Sequence, residues 1–80
     1  MKFNVGDKVT PFRKTGVFSC SMERYYTNSN GKFLKENGFL YVTRIVDNDC
    51  YILSNVKDGS GGDYFEESDL KTDVQLELQF

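Results

Sequence analysis

Residues 39–54 constrain the fold of this chain more than any other stretch. Phe39-Leu40-Tyr41-Val42-Thr43-Arg44-Ile45-Val46 is dominated by aromatic and β-branched side chains, which favour a pleated, extended backbone. Asp47-Asn48-Asp49 supplies turn formers, and Cys50-Tyr51-Ile52-Leu53-Ser54 resumes the apolar pattern. Two such runs joined by a short polar turn read as a β-hairpin. Composition points the same way. The 80 residues include no Ala, the best helix former, beside seven Phe and five Tyr. This length accommodates one domain over residues 1–80, with a core little more than one side-chain layer deep.

The same composition narrows the chemistry. There is no His, so the usual general base, zinc ligand and physiological pH switch are all missing. No apolar run approaches the roughly 20 residues of a membrane span, and no N-terminal signal pattern is present. The expectation is a cytoplasmic protein with no membrane contact. Cys20 and Cys50, the two cysteines, then read as reduced thiols, and Cys50, inside the strand pattern, reads as a small core residue.

Further elements flank the hairpin. Val5 to Phe12 reads as a turn leading into a first strand, and Pro11 requires either an edge or an outward-facing amide at that position. Lys57-Asp58-Gly59-Ser60-Gly61-Gly62-Asp63 reads as a second hairpin loop, followed by a short strand at Tyr64-Phe65-Glu66. Glu67-Ser68-Asp69-Leu70 reads as one 3₁₀ turn with Leu70 plugging the core, and Asp69 as a local cap. The expected core is Val9, Val42, Ile45, Tyr51, Leu53, Phe65 and Leu70.

Residues 13–38 are longer than an ordinary connection. Phe18, Cys20 and Met22 alternate with polar residues and suit a strand arm, whereas Ser21 could cap a helical turn through Met22–Tyr26. Asn28-Ser29-Asn30-Gly31 reads as a turn. Lys32–Asn37 followed by Gly38 reads as a short helix with a C′ glycine, or else as a short strand. At the other end, residues 71–80 read as an amphipathic C-terminal strand, with Val74, Leu76, Leu78 and Phe80 expected to share one face. That strand either closes the sheet against Phe3–Val9 or pairs with a second copy to give a homodimer.

The order Gly6-Asp7-Lys8-Val9, a long excursion, Tyr41-Val42-Thr43-Arg44-Ile45, Cys50-Tyr51-Ile52-Leu53, Gly62-Asp63-Tyr64-Phe65 and Ser68-Asp69-Leu70 resembles small SH3-like barrels of bacteriophages and prophages of Gram-positive bacteria, with a KOW/Tudor-like outline. The resemblance covers roughly residues 3–70. It implies an all-β fold: a small SH3-like barrel of about five strands with a long first loop containing a short helix or hairpin. It carries little about function, since such barrels host many binding activities.

Charge is unevenly divided. Residues 1–46 hold eight basic and three acidic side chains, and residues 47–80 hold two basic and nine acidic ones, so the net −2 conceals a basic half and an acidic half. The acidic half offers Asp58, Asp63, Glu66, Glu67 and Asp69 as a face that could mimic nucleic acid and occupy a host or antiviral-defence protein. The loop offers Arg13, Lys14, Arg24, Tyr25, Tyr26 and Lys32, the residue types that grip phosphates and stack on bases. Neither cysteine has a His to activate it, and Glu66 and Glu67 point to opposite strand faces. The glycine-rich loop lacks the Lys-Ser/Thr and helix of a phosphate loop and the spacing of a calcium loop. The expected function is therefore non-enzymatic binding of a host or defence protein, without cofactor or metal. Nucleic-acid binding through the 13–35 loop is the second choice.

Overall fold

The computed structural model describes residues 3–47, 49–59 and 61–71. Five short strands form an antiparallel sheet: β1 (Lys8–Pro11), β2 (Leu40–Val46), β3 (Cys50–Ser54), β4 (Asp63–Glu66) and β5 (Leu70–Lys71). Their spatial order is β4-β3-β2-β1-β5. The expected hairpins are present, with Val46 opposite Cys50 across the first turn and Leu53 opposite Asp63 across the second. A register shift between Val42 and Arg44 bends β2 part-way along its pairing with β3. The 3₁₀ turn Glu67–Asp69 leads directly into β5. The sheet is not closed into a barrel by any pairing of β4 with β5 among the described residues.

β1 resolves the proline constraint by changing partners. Lys8 and Val9 pair with β2, whereas Thr10 and Pro11 pair with β5. The Phe12 amide donates to the Asp69 carbonyl on the β5 side. Position 11, which lacks an N–H, therefore faces the β2 side past the Val9–Leu40 pair, where the β1–β2 ladder has ended and no donor is needed.

The long connection holds two helices, α1 (Met22–Tyr25) and α2 (Ser29–Asn37). Ser21 caps α1 by accepting from the Arg24 amide at 3.2 Å. α2 begins earlier than its sequence suggests. Asn28 is its N-cap, with Oδ1 accepting from the Gly31 amide at 2.9 Å, so Ser29-Asn30-Gly31 is helix rather than turn. Asparagine favours both settings because its short side chain satisfies a nearby backbone N–H in either. Gly38 ends α2 at φ 85°, and its amide donates to the Leu34 carbonyl at 2.7 Å. The strand alternative for residues 32–37 is thereby excluded. A nine-residue helix is marginal alone; Leu34, buried in the core, supplies the packing that holds it.

The core lies between the helices and one face of the sheet. Val9, Leu40, Val42, Tyr51, Leu53, Phe65 and Leu70 are buried, joined by Phe3, Tyr25 and Leu34, with Ile45 packed at the margin. Each fully buried large side chain contributes about 1.5–3 kcal/mol. Tyr25 meets Phe65 edge-on at 5.3 Å and Phe3 meets Tyr51 edge-on at 5.4 Å, each pair adding about 0.5–1.5 kcal/mol. No helix among the described residues is long and apolar enough to cross a membrane. The C-terminal strand expected to carry Val74, Leu76, Leu78 and Phe80 lies outside the described residues.

Candidate functional site

Residues 14–20 form a narrow arm, closed at its base where the Cys20 amide donates to the Lys14 carbonyl at 3.2 Å. One carboxylate fixes that base. Asp69, fully buried, accepts from Arg13 Nε at 2.9 Å, the Thr15 amide at 3.0 Å, the Thr15 hydroxyl at 2.9 Å and the Glu66 amide at 3.3 Å. Burial alone would raise its carboxyl pKa. The donors from Thr15, Arg13 and Glu66 outweigh that and hold it below the ordinary aspartate range. Lys14 is also buried, its Nζ donating to the Tyr64 carbonyl at 2.6 Å and lying 4.6 Å from the centre of the Phe65 ring. Gly16 turns the arm at φ 87°, pressed so closely on Glu66 that a Cβ there would sit 2.9 Å from its Oε2.

Two large apolar side chains stand at the tip of this anchored arm. Val17 is 79% exposed and Phe18 is 67% exposed. Phe18 reaches back to Tyr64, ring centres 6.4 Å apart and edge-on. The sequence places Phe18 on an arm but does not by itself mark the tip as a contact surface. The legible signal is an apolar pair directly after Gly16 with no strand continuing it.

Most of the residues expected to form an acidic face are engaged within the fold. Asp69 is interior, for the reason just given. Asp63 accepts from the Tyr25 hydroxyl at 2.8 Å and from Asn30 Nδ2 at 3.1 Å, clipping the helical excursion to β4. Glu67 accepts from the Tyr51 hydroxyl at 3.1 Å, and Glu66, half-buried, flanks Thr15 and Gly16. Asp58 alone of the five is fully exposed. The basic loop set is likewise divided. Arg13 and Lys14 hold the arm, and Tyr25 is a core residue whose phenol proton is retained far above its ordinary range by burial and the Asp63 carboxylate. Arg24 and Lys32 are exposed on the helices, and Tyr26 is half-buried with Lys35 Nζ 5.8 Å from its ring centre.

This inward turning changes the surface balance. Glu23, Glu36, Asp47, Asp49 and Asp58 are the exposed acids among the described residues, against exposed Lys8, Arg13, Arg24, Lys32, Lys35, Arg44, Lys57 and Lys71. Asp7, Asp63, Glu66 and Glu67 are only part-exposed, so the cations of the described residues stand further out than their acids.

Both cysteines are free. The Tyr64 hydroxyl donates to Cys50 Sγ at 2.7 Å, which lowers the thiol pKa, but burial and the nearby Asp49 carboxylate outweigh it and the net shift is upward. The same contact pushes the Tyr64 phenol up to about 12. Among the described residues no group of three or more His, Cys, Asp or Glu side chains could hold a metal ion.

Fold and arm together define a small five-stranded antiparallel module carrying an anchored apolar projection. No protein-family model, curated protein or solved structure matches the chain.

Proposed function

We propose that the protein is a non-enzymatic interaction module of the SH3-like kind that occupies the surface of a partner protein through the 14–20 arm. The strand order, with β1 flanked by β2 and β5 and a 3₁₀ turn before β5, supports the SH3-like reading over a plain meander. A partner among host or antiviral-defence proteins, met in the bacterial cytoplasm, follows from the phage-type resemblance of the sequence. The observation that carries the proposal is the arm tip. Val17 and Phe18 are held outward on a base fixed by Asp69 and Lys14, so binding them costs little ordering entropy. Rigidly presented aromatic and aliphatic anchors are what protein interfaces bury at their centres. Contact by an acidic face has less support, because Asp63, Glu66, Glu67 and Asp69 are engaged within the fold.

The test is capture from host lysate by tagged protein, read by mass spectrometry. The double variant Val17→Ser, Phe18→Ser should no longer retain the captured protein, with an unfolding free energy within about 0.5 kcal/mol of the wild type, as exposed positions allow. Equal capture by the variant would remove the arm tip from the interface.

A further inference from the structure

β2, β1 and β5 lie side by side, and their outward side chains form a row in which cations sit beside aromatic rings. Alternation along β1 buries Val9 and Pro11 and turns Lys8 and Thr10 outward, with Phe12 exposed just past the strand. Lys8 stands opposite Tyr41 on β2, and Thr10 stands opposite Lys71 on β5. Phe39, immediately before β2, meets Tyr41 edge-on at 5.2 Å and Phe33 of α2 at 5.5 Å. Lys8 Nζ lies 4.8 Å from the centre of the Phe39 ring. Lys71 Nζ lies 5.6 Å, and the Arg13 guanidinium 5.2 Å, from the centre of the Phe12 ring. The row thus ends in two rings that each carry a cation, Phe39 beside Lys8 and Phe12 beside Lys71 and Arg13, with Lys8 and Phe12 four residues of strand apart, about 13 Å.

We propose that this face binds single-stranded nucleic acid, with bases against Phe39, Tyr41 and Phe12 and phosphates on Lys8 and Lys71. Rings accept any base by its π-face, and the adjacent ammonium groups release counterions from the backbone. A duplex hides its base faces and could use only the lysines. A protein partner fits less well, because the centres of protein interfaces are depleted in Lys, whereas here a cation accompanies Phe39 and Phe12. Of the acids near these rings in the chain, Asp69 is buried and paired with Arg13, Asp7 accepts the Asn4 amide, and Glu36 is exposed on α2. Asp47 lies six residues along β2 from Tyr41, roughly 20 Å, beyond the Debye length of about 10 Å at 0.1 M salt.

Fluorescence anisotropy with a labelled oligothymidylate about 12 nucleotides long tests the proposal. Binding should be tightest at low salt. Lys8→Glu with Lys71→Glu should weaken it at least about tenfold and flatten the slope of log affinity against log salt by roughly 1.4, or 0.7 for each phosphate left without its lysine. Phe39→Ala should weaken it about tenfold and leave the slope unchanged, since stacking involves no counterion. Both lysines are exposed, so circular dichroism should be unaltered. Three results would overturn the proposal: no anisotropy change for the wild type at low salt, competition by a duplex as strong as by the single strand, or abolished binding in Arg24→Glu, Lys32→Glu while the Lys8/Lys71 variant still binds.

Discussion

Gly31→Ala is expected to destabilise the protein by about 3 kcal/mol or more, although alanine is the better helix former by about 1 kcal/mol. A Cβ at position 31 would lie 1.9 Å from the Tyr25 carbonyl oxygen, 2.6 Å from its carbon and 2.8 Å from the Tyr26 Cα. These are backbone atoms, so no side-chain rotation relieves the clash. α2 would have to move away from the end of α1, drawing the Tyr25 ring off Phe65 and its hydroxyl off Asp63. The total stability of an 80-residue domain is roughly 4–12 kcal/mol, so this is a large share of it. Urea unfolding followed by circular dichroism decides the matter. A midpoint at or above that of the wild type would mean that the two helices separate freely and that their packing carries no weight.

Asp69→Asn is expected to cost about 2–4 kcal/mol, because it turns an amide NH₂ toward donors that now converge on a carboxylate. The part-buried Thr15 and Glu66 amides lose charge-assisted partners, and Arg13 loses its counter-ion. The effect depends on pH in a definite sense. Unfolded aspartate titrates near 3.9, and the folded value is lower, so the stabilisation is complete above about pH 5 and is lost as pH falls through the folded pKa. The stability gap between wild type and variant should therefore narrow steadily as pH falls from 5 toward 2. A gap that stays constant over that range would show that the Asp69 charge is not what holds the arm.

Much of the sheet is legible because it is written locally. The hairpin at 39–54, the C′ glycine at Gly38, the Ser21 cap and the 3₁₀ turn at 67–69 each follow from residues within a few positions of one another. The site is far less legible, and the reason is physical. Whether an aspartate lies in the interior depends on which donors the fold brings to it, and besides the nearby Glu66 amide those of Asp69 come from Arg13 and Thr15, more than fifty positions away. Asp63 is the same case, its partners being Tyr25 and Asn30. The sequence marks Asp69 as a local cap, which the Glu66 amide bears out, but not as interior, and nothing in it sets Asp63 apart from Asp58, which is exposed. The outward row on β2, β1 and β5 is hidden for a related reason. Lys8, Phe39 and Lys71 belong to three segments that become neighbours only through sheet order.

The hydrogen bonds from Thr15 to Asp69 also set an order of events in time. They span 54 residues, so the chain must close a very large loop before either group gains from the interaction. Both hairpins can zip without them. Thr15→Val should then hasten unfolding while leaving the refolding rate nearly unchanged, as stopped-flow chevrons would reveal. Synthesis runs in the same direction. Asp69 is made long after Val17 and Phe18, so on the ribosome this apolar tip gains its fixed base only when some fifty further residues have followed it out.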